Sequence, residues 1–198
     1  MFTADTLRTL LAPFGQLRSQ PASDWTGQQA LPTALHEFYQ QVGPWGNTYH
    51  EKVGPVGCTL TVGGNPVCIP PLHKLESLHA GYAWSANPDD KLGDWNPNWL
   101  VIAEQGGDPF IYDRATGHVL FAFHGAGLWE PVLFAEDLYS AIGAIACVAT
   151  SYCELDEDQF EDEALTETGY QTIRTDLATA LGSIEAAQHM LDAWEYNQ

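Results

Sequence analysis

Residues 99–124 read WLVIAEQGGDPFIYDRATGHVLFAFH, and this stretch decides the fold. Three apolar runs are separated by two turns. Residues 99–104, 109–113 and 118–124 are expected strands, with Gln105-Gly106-Gly107-Asp108 and Ala115-Thr116-Gly117 as the turns between them. Connections this short join antiparallel neighbours, so the stretch predicts a three-stranded meander. Gly106-Gly107 precedes a strand and not a helix. It therefore reads as turn chemistry and cannot set a helix N-terminus against a phosphate.

Working outward, residues 56–62 and 66–69 flank Gly63-Gly64-Asn65 and predict a hairpin. Residues 82–99, rich in Trp and Pro, predict an irregular connection. Two helices are expected before the strands. Residues 3–14 carry Leu7, Leu10, Leu11 and Phe14 on one stripe, with Thr3 as N-cap, Phe2 stapled onto Leu7, and Gly15 as the stop. A second helix opens at Pro32, shows Leu35, Phe38, Tyr39 and Val42 on one face, and ends at Gly43-Pro44. After a linker at 125–131, a helix is expected from about residue 135 to 152, with Leu138, Ile142, Ile145, Ala149 and Tyr152 as its apolar face. One final amphipathic helix, capped by Thr168 and Gln171, carries Tyr170, Ile173, Leu177, Leu181, Ile184, Leu191 and Trp194 and needs a surface to cover. Helices segregated from an antiparallel meander define an α+β domain.

Charge is the dominant global property. Seven Lys and Arg face 26 Asp and Glu, a formal net charge of −19. Such a field repels nucleic acid and anionic membrane and steers basic partners. The same acids also serve solubility. Seven of them lie in residues 154–163 without a base among them: Glu154, Asp156, Glu157, Asp158, Glu161, Asp162 and Glu163. The start of the chain shows no basic region leading into an apolar one, and the apolar run at 141–149 is too short for a bilayer. A soluble cytoplasmic protein is expected, and with it four reduced cysteines, although Cys58 and Cys68 flank the hairpin and could approach each other.

The motifs that would announce an enzyme are missing: no phosphate loop, no nucleophile elbow, no His-Glu-x-x-His. His50, His73, His79, His118 and His124 are scattered, and Asp156 and Asp158 lack the mid-loop Gly of a calcium site, so neither metal nor cofactor is expected. Glu104, Asp108 and Asp113 are expected to cluster around one β-turn, where carboxylates usually accept local amides. The expectation is a non-catalytic domain.

The order of these signals carries a resemblance. Leu31-Pro32-Thr33-Ala34-Leu35-His36-Glu37-Phe38-Tyr39, closing at Gly43, is similar to the opening helix of the SUKH superfamily, the Smi–Knr type of domain. Residues 99–103, the turn at Gly106-Gly107-Asp108, and Asp113 with Gly117-His118-Val119 look like that family's central meander. Trp129, Phe134 and the helix after them resemble its closing element, so the likeness spans residues 30–150. It implies a bent, mostly antiparallel sheet flanked by helices, here over residues 1–153, with 154–198 added as an acidic segment and a docked C-terminal helix. It also implies no shared catalytic residues.

Many bacterial members of the superfamily are immunity proteins that bind polymorphic or contact-dependent toxins. The partner implied here is a basic toxin domain, for example a nuclease. Its contact surface is expected on the seven acids of 154–163, joined by Asp89, Asp90 and Asp94. Two other classes stand beside this one: a regulatory scaffold with a housekeeping partner, and a small-molecule binder or enzyme using an aromatic cleft near Trp84, Trp95 and Trp99.

Overall fold

A computed structural model describes residues 2–85, 87, 89–125, 127–162 and 164–196. The chain adopts the α+β class. Helices α1 (Ala4–Leu11) and α2 (Thr33–Gln41) come first, followed by strands β1 (Cys58–Leu60) and β2 (Val67–Ile69) and a one-turn helix α3 (Leu72–Leu75). The meander is β3 (Trp99–Gln105), β4 (Asp108–Asp113) and β5 (Val119–Phe121). A strand β6 (Val132–Ala135) leads into α4 (Leu138–Glu154). A small hairpin of β7 (Phe160–Glu161) and β8 (Ala164–Leu165) precedes α5 (Glu167–Leu181) and α6 (Ile184–Ala193). Strands β1 to β6 form one sheet in sequence order, every neighbouring pair antiparallel.

Thr3 caps α1 through its hydroxyl, which accepts from Thr6 N, and Pro13, which has no N–H to donate, leaves the next turn as a 3-10 helix over Ala12–Phe14. Phe2 is buried against Gly143 of α4, where a Cβ would stand 2.3 Å from the ring.

Three expectations change. Residues 132–135 pair with β5 as a strand, and the helix begins only at Leu138, with Asp137 accepting from Ser140 N at 2.9 Å. A run of four apolar residues fits either state, and the open edge of β5 decides it. The final helix is two helices. Gly182 takes the left-handed conformation (φ 74°) and Ser183 caps α6 by accepting from Ala186 N. The cap of α5 is Thr166, which accepts from Gly169 N, and not Thr168.

The helices collect on one face of the sheet. Leu100 and Ile102 of β3, Phe110 and Tyr112 of β4, and Val119 and Phe121 of β5 point into this main core with α1, α2, α4, α5 and α6. Phe110 is its centre, with ring centroids 4.8 Å from Phe121, 5.2 Å from Phe134 and 5.5 Å from Trp194. Trp194 further donates from Nε1 to Gln105 Oε1 at 2.6 Å, which locks the chain's last helix to β3. The alternate residues Val101 and Ile111 point the other way, into a second cluster formed by residues 78–99 with Tyr82, Trp84, Trp95 and Trp129. Period-two alternation along a strand thus assigns helices to one face and the irregular connection to the other.

The same alternation separates two thiols. Cys58 stands opposite Ile69 and Cys68 opposite Thr59, so the two cysteines point to opposite faces and all four remain free. Burial pushes the Cys58 thiol up to about 12.

Candidate functional site

Two surfaces carry the chemistry, one on each side of the sheet. The first is the acidic end of α4. Glu154 is the last residue of that helix, where the backbone dipole is already negative, so its charge opposes helix stability there. Asp156 is held in a reciprocal cap on the 3-10 turn Glu157–Gln159. Its side chain accepts from Gln159 N, while Gln159 Oε1 accepts from Asp156 N at 3.0 Å. Gln159 Nε2 donates to Thr172 Oγ1 at 2.8 Å and ties the segment to α5. Glu161 lies on β7, and Asp162 turns the hairpin in the left-handed region at φ 48°, which short polar side chains tolerate. Glu154, Asp156, Glu157, Asp158, Glu161 and Asp162 are all exposed. Glu163 lies outside the described residues.

Asp89, Asp90 and Asp94 are exposed as well, but they belong to the connection that covers the opposite face of the sheet. The fold therefore does not bring them together with the 154–162 acids as one patch. Glu104 and Asp108 both flank the Gly106-Gly107 turn but stand opposite Pro109 and Gln105 respectively, at adjacent and not facing positions, whereas Asp113 is at the far end of β4 opposite Trp99. Each is engaged locally. Glu104 accepts from the Tyr82 hydroxyl at 3.2 Å, Asp113 accepts from Ala115 N at 2.9 Å, and Asp108 Oδ1 lies 2.6 Å from His124 Nδ1 and accepts from His124 N. His124–Asp108 is the sole contact within 4 Å between a basic side chain and a carboxylate among the described residues.

The second surface is a cleft of about 180 Å³ on the side of the connection, lined by Trp84, Trp95, Trp99 and Pro97 with Glu76, Lys91 and Arg114. Its inner wall is His79, 3% exposed. His79 Nε2 accepts the backbone N–H of Val101 at 2.9 Å, so Nδ1 carries the proton and donates to the carbonyls of Leu75 and Glu76. Strand β2 pairs only with the far end of β3, at Glu104 and Gln105, and the imidazole stands in for the missing neighbour at Val101. Its ring stacks on Trp84 at 5.4 Å and 22°. Burial lowers the His79 pKa to about 4 and keeps the ring neutral.

Burial also raises the pKa of Glu76, against the pull of Arg114 and Lys91, and lowers that of Arg114. Arg114 Nη1 donates to Ala30 O at 2.6 Å, and Gln29 Nε2 reaches Pro97 O at 3.4 Å, so the 28–30 loop closes one side of the cleft. Sequence reasoning reaches the three Trp residues but not Glu76, Arg114 or the role of His79. These stand on separate elements, and the scarcity of bases in the chain is the one available signal.

Among the described residues no group of three or more His, Cys, Asp or Glu is arranged to hold a metal ion, and no helix is long and apolar enough to cross a membrane. Comparison with protein-family models, curated proteins and solved structures finds no match to this chain.

Proposed function

We propose that this chain is a protein-binding domain that neutralises a basic partner by stoichiometric contact, and that it serves as an immunity protein against a polymorphic or contact-dependent toxin. One observation carries the reading. Twenty-six carboxylates face seven Lys and Arg, and among the described residues no Lys or Arg lies within 4 Å of any carboxylate. The charge is not spent on internal pairing and is projected into solvent. Glu154 is the clearest instance, because an acid at the negative end of a 17-residue helix opposes the dipole and contributes nothing to the fold that a neutral residue would not.

A nuclease toxin presents a basic cleft made for phosphate. An exposed acidic end steers toward such a cleft and can occlude it, raising association rates on the order of 10- to 1,000-fold at low salt. The resemblance to the SUKH superfamily supplies the biological setting. Affinity capture from native lysate at low and at high salt, with mass spectrometry of the retained proteins, tests the reading. A single basic partner that weakens with salt supports it. A housekeeping protein retained independently of salt favours a scaffold instead. With the partner in hand, converting the seven acids of 154–163 to amides should slow association at least about tenfold. Unchanged binding by that folded variant would remove the acidic segment from the interface.

A further inference from the structure

The cleft between Trp84, Trp95 and Trp99 is a different kind of surface from the acidic end, because two cations line it. Two of the chain's seven Lys and Arg, Lys91 and Arg114, converge there around a single carboxylate, Glu76. Neither cation closes an ion pair with Glu76 within 4 Å. Arg114 uses one of its five N–H donors on Ala30 O, and its other donors are neither hydrogen-bonded to a described residue nor sealed from solvent. Lys91 is exposed, with Nζ held 5.9 Å from the Trp84 ring centroid.

The walls are prearranged. Trp84 is fixed by its stack on His79, and Trp95 meets Trp99 edge-to-face at 5.4 Å. Trp95 donates from Nε1 to Trp99 O. Fixed apolar walls favour a rigid occupant, and about 180 Å³ admits one ring or one fused pair but nothing of drug size.

We propose that this cleft binds a small planar aromatic carboxylate, its ring against the indole walls and its anion on Arg114 and Lys91. In a chain of net charge −19, this is where an anion of that size meets two cations together with an apolar wall. A cationic aromatic would be rejected at the mouth. The site is separate from the acidic end, because it lies under the connection that covers the sheet face opposite the helices.

The test is calorimetric titration of the full chain with indole-3-carboxylate, with indole and tryptamine as uncharged and cationic controls. Saturable one-to-one binding of the carboxylate is expected, with Kd on the order of 0.1–1 mM. Indole and tryptamine should bind at least about tenfold more weakly. Arg114→Gln, which removes the cation, should weaken the carboxylate about tenfold, and Lys91→Gln about threefold. Far-UV circular dichroism establishes that each variant is folded. If Arg114→Gln does not fold, Lys91→Glu takes its place, with an expected loss of about tenfold. Absence of saturable binding, tryptamine binding as well as the carboxylate, or folded charge variants binding like the parent would each overturn the proposal.

Discussion

Replacing His79 by alanine should destabilise the protein by an amount that shrinks as the solution is acidified. The imidazole satisfies the buried N–H of Val101 at 2.9 Å and fills the space beneath Trp84 at 5.4 Å. An orphaned buried N–H costs about 1–3 kcal/mol, and the vacated volume adds a cavity cost, so the loss near pH 7 is about 3 kcal/mol. The imidazole's ordinary pKa of 6.5 falls to about 4 in the fold because burial disfavours its charged form. Between these values the unfolded chain takes up a proton that the folded chain refuses, and stability declines as pH falls through that window.

From about pH 7 to about pH 5 this linkage removes roughly 2 kcal/mol from the parent and nothing from His79→Ala. Other groups titrate in both chains and cancel to first order. Glu76 has the opposite sign, since burial raises its pKa and its protonation in acid relieves a cost, and it does so in both chains. Urea unfolding followed by far-UV circular dichroism at the two pH values reads the gap directly. It should narrow from about 3 to about 1 kcal/mol. A gap that stays constant would show that His79 titrates alike in folded and unfolded chains, and would refute the account of a neutral, donor-satisfying imidazole.

Four further outcomes are expected. Gly143→Ala should cost about 2 kcal/mol, because its Cβ would meet the Phe2 ring at 2.3 Å, and combining it with Phe2→Leu should recover part of the loss in denaturant midpoints. Gly182→Ala meets no neighbour and should cost only about 1 kcal/mol, the penalty of a left-handed residue, with Gly182→Asn milder. Trp194→Ala should cost about 3–5 kcal/mol and unfold in one transition, since Trp194 closes the core around Phe110 and Phe134; a separate early transition for α5 and α6 would contradict that packing. Raising salt from low ionic strength to about 0.5 M should raise Tm by a few degrees, because it screens carboxylates that, among the described residues, have no Lys or Arg within 4 Å, and a fall in Tm would mean that attractive pairs dominate.

What short-range chemistry controls is legible along the chain. The Gly106-Gly107 turn forces β3 and β4 into an antiparallel pair, and its two residues have φ of 61° and 103°. Thr3 and the leucine stripe define α1, and the charge of −19 follows from composition alone. Tertiary contact decides the rest. Residues 132–135 become a strand because β5 offers an open edge, while Gly182 ends α5 where α6 must turn back onto β6. The three Trp residues of the cleft are legible along the chain, but its charged lining is not, because Glu76, Lys91 and Arg114 stand far apart in sequence and meet only once period-two alternation has sent Val101 and Ile111 to the face opposite the helices. Local turns and caps are fixed by neighbours a few residues away. A site assembled across a sheet face depends on register, which exists only after the strands have paired.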